Sequence, residues 1–409
     1  MSESLTPSPA LARVAKGGLC AGCGLCAAIA PDQVTIEVTE AGFLRPTQTG
    51  PIGAAQDAAI AASCPGLGQT VDAGGRTDDT LWGPYTAMQT GWASDPDLRH
   101  AASSGGALSA VLVHLIEGGE VDAVLQTTAD PQTPWANTTQ LSRSADQILT
   151  AAGSRYAPSA PLAGIEALLT KEERIAFVGK PCDVVALRAR AMDDPRVARV
   201  FPVMVSFFCA GVPSLTGARE VIKALGVSPD EVTAFRYRGN GWPGRAAATL
   251  TDGSDRSMTY HESWGGILSG HVQHRCKICA DGTGKAADIV CADAWETDAA
   301  GYPLFEERDG VSLIVARTAL GARLIDQAAA AGAIATEPFD VAGLASMQPG
   351  QSGRRRVLAA RLAGLLVMGK PIPRYRGLHV IGAAKQGRFP TLVRNFLGMV
   401  RRVLQGRIR

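Results

Sequence analysis

The residues that most restrict what this chain can become are its cysteines, and first among them the run "CAGCGLCAAIAP", Cys20 to Pro31. Cys20, Cys23 and Cys26 keep a C-x2-C-x2-C spacing, but Ala30 stands where the next cysteine of a cluster-binding run would precede proline. Further on, "AASCPGLG" places Cys64 directly before Pro65. In two-cluster ferredoxins the Cys-Pro cysteine ligates the other cluster, so a chain with one such cluster needs only the borrowed ligand. Cys20, Cys23, Cys26 and Cys64 are therefore expected to complete one [4Fe–4S] site. Zinc also takes four thiolates, but a zinc ribbon puts two cysteines on each of two knuckles, which the triple spacing disfavours.

The chain holds nine cysteines in all. Its N-terminus, "MSESLTPSPALARVAKGG", has no apolar stretch of signal-peptide length, and nowhere do 18 apolar residues run together, so a cytoplasmic protein is expected. In that compartment disulfides are disfavoured, and cysteines point to metal or redox work. Cys276 and Cys279 in "RCKIC" form a ligand pair. Cys182 in "VGKPCDV" and Cys209 in "SFFCAG" each follow a predicted strand, which would bring both thiols to the C-terminal edge of a sheet, where α/β folds build sites. A second four-thiol set would result, with Cys291 left over. The alternative is that Cys182 and Cys209 are buried apolar residues, as free cysteines often are.

Three regions are expected. Residues 1–75 carry the first cysteine set and end near the Gly-rich "VDAGGRTDDT". In residues 76–340 the strand-length runs "VDAVLQTT", "RIAFVG", "FPVMVSFF" and "VSLIVART" alternate with helix-period segments, the pattern of an α/β fold. One predicted helix begins after Ser103 and Ser104. Its apolar positions Ala107, Leu108, Val111, Leu112, Leu115 and Ile116 share one face, and Gly118 and Gly119 close it. Ser103, Ser104, Gly105 and Gly106 would then offer free N–H groups to a phosphate or pyrophosphate, or simply cap the helix.

Residues 341–409 read as a basic helical tail. Fourteen Lys and Arg follow Asp340 with no acidic residue, although the whole chain carries only +2. In "TLVRNFLGMVRRVLQGRIR" the apolar Leu392, Val393, Phe396, Leu397, Val400, Val403 and Leu404 repeat at helical spacing between arginines. Such a helix can lie on an anionic membrane surface, here the inner face, or pack on its own core. Nucleic acid is not expected, since no stacking aromatics accompany the charge.

The series "SSGGALSAVL", "VGKPCDVVALR", "FFCAGVPS", "FRYRGNGWPG", "SWGGIL" and "RCKICADGTGKAADIVCADAW" resembles, in order and spacing, the coenzyme F420 hydrogenase/dehydrogenase beta-subunit family. The resemblance implies an iron–sulfur flavoprotein: a small ferredoxin-like [4Fe–4S] domain, then a mixed α+β domain binding FAD and a further [4Fe–4S] cluster. Carried over by residue, Cys182, Cys209, Cys276 and Cys279 become ligands of the second cluster, and Ser103 to Gly106 part of the flavin site. Lys180, Arg236 and Arg238 complete the expected cofactor-binding set, since a guanidinium forks onto phosphate oxygens. Flavin exchanges two electrons and each cluster one, so the chain is expected to link ferredoxin or a partner electron-transfer subunit to an organic two-electron substrate. Among His100, His261, His271 and His274, His261 before "ESWGG" is the expected proton donor.

Overall fold

The computed structural model describes residues 6–298, 304 and 306–408. At its centre is an eight-stranded mixed sheet of strands β1 (Ala87–Ala93), β2 (Ala123–Ala129), β3 (Asn137–Ser142), β4 (Ile175–Val178), β5 (Val203–Phe207), β6 (Ile289–Asp293), β7 (Ser312–Ala316) and β8 (Ile334–Pro338). The spatial order is β8-β1-β7-β6-β5-β4-β2-β3. The middle four, β6, β5, β4 and β2, run parallel, and antiparallel strands flank them on both sides. Their C-terminal ends therefore share one edge.

Side-chain alternation divides the core between the two faces of the sheet. Val124, Val203, Val205 and Ile289 face the helices Ala107–Glu117 and Ala319–Ala330, while Leu125, Phe177, Met204 and Val290 face Pro181–Asp193 and Pro195–Val200. The α/β expectation holds, and the four apolar runs read from sequence are β2, β4, β5 and β7. A separate antiparallel sheet, Val232–Arg236, Arg245–Leu250 and Asp255–Thr259, packs beside them.

Residues before 75 form the helices Pro9–Gly17, Leu25–Ile29 and Ala54–Ser63 and a hairpin, Val34–Val38 with Leu44–Gln48. They dock on the central domain: Cys23 and Leu25 share a core with Trp82 and Ile165, and Leu162 N–H donates to Cys23 O at 3.0 Å. The basic C-terminal segment is likewise packed down. Arg374–Arg376 pairs in parallel with Gly68–Thr70, and helices Pro349–Val367 and Phe389–Leu404 pack together, with Met399 buried between. No helix among the described residues is long and apolar enough to cross a membrane.

Candidate functional site

The parallel topology delivers the expected thiols to one place. β4 ends at Val178 and leads through Gly179 and Lys180 to Cys182, in the first turn of helix Pro181–Asp193. Its neighbour β5 ends at Phe207, two residues before Cys209. The short helix His274–Lys277 brings Cys276 and Cys279 against them: Val212 N–H donates to Cys276 Sγ at 3.4 Å, and Cys279 Sγ to Asp281 O at 3.2 Å. Neighbouring thiols act on Cys182 and Cys209. Burial first, then Asp183, Cys209 and Cys276, push Cys182 well above the ordinary thiol range, and burial with Cys276 and Cys279 pushes Cys209 up to about 12.

The N-terminal set behaves in the same way. Cys20, Cys23, Cys26 and Cys64 all line one small, largely apolar cavity with Leu11, Ile36 and Ile60. Burial, with Cys20 and Cys64 beside it, pushes Cys26 up to about 12, and burial with Cys20 pushes Cys64 up to about 11. Neighbouring, partly buried thiols disfavour one another's anions, and a bound cationic centre would reverse that cost by taking them as thiolates. Among the described residues, no group of three His, Cys, Asp or Glu side chains converges tightly enough for a single metal ion. Cys291 belongs to neither thiol set: it lies mid-strand in β6, paired with Phe207 and Ile314, and burial alone raises it to about 12.

Two residues connect the sets. Buried Arg275 donates to Pro65 O at 2.8 Å and to Tyr375 Oη at 3.0 Å, and its charge lowers both Cys64 and Cys279 against the effect of their burial. Gln273 Nε2 reaches Ala21 O at 3.3 Å and Cys276 Sγ at 3.5 Å.

On the other side of Cys209 lies a cavity of about 300 Å³ at the C-terminal edge of the sheet. Ser103, Ser104, Gly106, Lys180 and Arg238 line it, as do Cys209 and Cys291, and Tyr156, Tyr260, Trp264 and Trp295 supply aromatic walls. The predicted helix is present as Ala107–Glu117, with Gly106 at φ +74° as its N-cap. Gly105 sits just outside the wall, where a Cβ would come within 2.8 Å of Ser312 N. The hydroxyls are already engaged: Ser103 Oγ accepts from Ser154 N–H, and Ser104 Oγ donates to Val311 O at 3.2 Å. Aromatic walls and close-approaching backbone fit a planar heteroaromatic ligand.

Three expected roles change with the geometry. Arg238 is buried and forks onto Asp293 at 2.7 and 2.8 Å while its Nε donates to Pro243 O, so three of its five N–H donors are held by the protein and its charge by a carboxylate. Arg236 stands outside the cavity wall, its Nη1 donating to Ala101 O at 2.9 Å. His261 is exposed at the start of the π-helical turn His261–Ile267 and does not line the cavity, whereas Tyr260 and Trp264 beside it do. Lys180 lines the wall but is paired with Asp183 at 2.8 Å. Burial opposes its charge, yet Asp183 and Cys182 outweigh that and hold it protonated. The aromatic wall was not anticipated as such, although "SWGGIL" and "CADAW" contain Trp264 and Trp295.

The profiles of a known family, coenzyme F420 hydrogenase/dehydrogenase beta subunit, match this chain in two adjoining parts: the N-terminal part over residues 88–166 and the C-terminal part over residues 172–342. The coenzyme F420 hydrogenase subunit beta of Methanothermobacter thermautotrophicus is 22% identical over 302 residues, 71% of this chain and 99% of that protein. The F420-dependent formate dehydrogenase 1 subunit beta of Methanococcus maripaludis is 27% identical over 205 residues, 49% of this chain and 50% of that one. A chain of the F420-reducing [NiFe] hydrogenase complex from Methanosarcina barkeri superimposes with a TM-score of 0.55 at 18% identity, covering 73% of this chain and 99% of that chain. Together the two matched parts span more than half of the sequence, and the chain belongs to the coenzyme F420 hydrogenase/dehydrogenase beta-subunit family.

Proposed function

We propose that the chain is an iron–sulfur flavoprotein that passes electrons between a one-electron carrier, such as ferredoxin or a partner subunit, and an organic two-electron substrate. The observation that carries this reading is continuity. Arg275 and Gln273 hydrogen-bond the carbonyls of Pro65 and Ala21, next to Cys64 and Cys20 of the first set; Gln273 also reaches Cys276 of the second, and Cys209 of the second set is part of the aromatic cavity wall. When bound, clusters would supply one-electron steps and FAD a two-electron step at the end of that line. The protein's own residues would hold each cluster with four thiolates, exclude water with apolar and aromatic walls, and set charge with Arg275 and Lys180.

A second reading is favoured by the relatives, which are named as beta subunits of F420 hydrogenase and of F420-dependent formate dehydrogenase. On that reading the chain serves a larger complex and its organic substrate is a deazaflavin. Both readings require the same prosthetic groups. Iron, sulfide and flavin on anaerobically purified protein, with EPR after dithionite, should give about eight irons and one FAD per chain. Cys64→Ala should then lose about four irons and keep the flavin. Stoichiometric zinc without iron would end both readings, and reduction of a small molecule by the chain alone would decide for the first.

A further inference from the structure

A second, larger concavity lies beside the inner thiols, and the relay does not account for its charge. It is an open groove of about 1410 Å³ between the loop and helix around residues 271–277 and the two C-terminal helices Pro349–Val367 and Phe389–Leu404. Lys277, Arg354, Arg361, Arg394, Arg402 and Arg407 line it, and no Asp or Glu does. Cys276 forms part of its wall, and Ala210, Trp264, Gln348 and Gln351 are shared with the aromatic cavity.

These cations are not balanced from within. Among the described residues no Lys or Arg after Asp340 pairs with a carboxylate. Arg354 and Arg361 spend donors on Ala210 O, at 2.6 Å, and Lys277 O, at 2.8 Å, which satisfies hydrogen bonds but pairs neither charge with a carboxylate. The groups disfavour one another. Arg361 is lowered by burial and then by Arg354 and Arg402. A surface that keeps such repulsion is stabilised by an anionic partner.

The spread of charge selects the kind of partner. Arg394 and Arg402 lie eight residues apart on one helix, about 12 Å, and Arg354 and Arg361 seven apart on another, about 10 Å. One phosphate meets one or two such groups, whereas a protein face studded with carboxylates meets them all. We infer that this groove is the docking surface for an acidic one-electron carrier protein, which would place the carrier against Cys276 rather than against the N-terminal thiols. The inference rests on the proposed relay and moves its point of entry from the N-terminal thiols to the inner set. Electrostatic docking of this kind acts mainly on association rate and falls with ionic strength.

The test uses the full-length chain and an acidic bacterial two-cluster ferredoxin, oxidised, as the binding probe. Affinity is measured between about 50 and about 300 mM NaCl, a range over which exposed charges are progressively screened. Arg394→Gln/Arg402→Gln/Arg407→Gln should weaken binding by about tenfold or more at low salt and flatten the salt dependence. Arg143→Gln/Arg256→Gln/Arg323→Gln, an equal charge change away from the groove, should leave affinity within about twofold. Arg394→Lys/Arg402→Lys/Arg407→Lys, which keeps the charge, should restore binding and so separates lost charge from lost folding. Equal affinity in the two Gln variants would overturn the inference. So would tight groove-dependent binding of pyrophosphate, or of vesicles rich in phosphatidylglycerol, with none of ferredoxin. Iron and flavin content are measured separately. A loaded protein whose groove variant still binds ferredoxin normally refutes the docking site alone, and a groove that binds ferredoxin on a protein without iron refutes the relay.

Discussion

Asp293→Asn is the most discriminating substitution that the cavity offers. Asp293 ends β6, and its carboxylate accepts from Arg238 at 2.7 and 2.8 Å and from Trp242 Nε1 at 2.8 Å. Side-chain exposure is 2% for Arg238 and 20% for Asp293, so water does little to screen the pair. The amide keeps the shape of the carboxylate but removes its charge, stranding a guanidinium in the core. Breaking a buried pair from one side costs about 3–5 kcal/mol. Set against an ordinary total stability of about 5–15 kcal/mol, that is a severe loss. Arg238→Gln/Asp293→Asn removes both charges together and should recover much of it, giving a coupling of about 2 kcal/mol or more in the double-mutant cycle. Equilibrium urea unfolding under anaerobic conditions measures all four proteins, with Trp fluorescence as the probe because Trp242 stacks on Trp295 at 4.9 Å. Flavin content is the second readout, since Arg238 also lies 4.8 Å from the Tyr260 ring and 5.0 Å from that of Trp295, both in the cavity wall. A single-mutant cost under about 1 kcal/mol, or strictly additive effects, would show that the pair is solvated and that the argument from burial is wrong.

Gly106→Ala places a side chain at φ +74° with its Cβ 3.1 Å from that of Ala93. It should cost about 1–2 kcal/mol and weaken flavin retention, and unchanged stability with full flavin would contradict the need for glycine there. Lys285, buried with Nζ on Leu81 O at 3.1 Å and Thr283 Oγ1 at 3.2 Å, is lowered from 10.5 to about 7 by burial, then by Arg355 and Arg317. The unfolded chain therefore binds the extra proton between pH 7 and 10.5 and the native one does not. Stability should rise with pH through that window, by up to about 1.4 kcal/mol per unit, and Lys285→Met should abolish the slope and stabilise the protein at pH 7. Identical slopes in urea titrations at pH 7, 8 and 9 would sink this assignment.

Much of this was legible because it rests on short-range regularities. The spacing of Cys20, Cys23 and Cys26, the apolar runs of β2, β4, β5 and β7, and the helix after Gly106 each follow from local periodicity. Parallel pairing of β4 with β5 then fixed Cys182 and Cys209 at one edge, a consequence of topology that strand-then-cysteine order already implied. Long-range choices were not legible. "FRYRG" offers two arginines of the same type, and only the tertiary fold gives Asp293 to Arg238 and Ala101 O to Arg236. His261 looked well placed in a polar stretch, but the π-helical turn leaves it exposed while Tyr260 and Trp264 enter the cavity wall. The apolar stripe of the last helix is divided: Val403 packs on the buried cluster that holds Met399, while Val393, Leu397 and Leu404 remain exposed. A helical period identifies a face without saying what covers it.

The excess of C-terminal arginine has a physical reason that the net charge alone conceals. Guanidinium groups present five donors and stay ionised under almost any burial, so they can satisfy carbonyls at loop ends while adding positive charge. Arg355, buried in helix Pro349–Val367, donates to Ala280 O at 3.0 Å and to Leu378 O, and Arg354 donates to Cys209 O at 2.7 Å. Both fasten the loops that carry inner thiols. Their charge also acts on those thiols, since Arg354 lowers Cys209 as Lys180 lowers Cys182 and Arg275 lowers Cys279. Three of the four inner cysteines thus have a cation beside them, and four thiolates around one cluster, as proposed above, would need such compensation in a site shielded from water. The segment after Asp340 thus fastens the loops that carry the inner thiols, and Arg354 and Arg361 do so while also lining the groove.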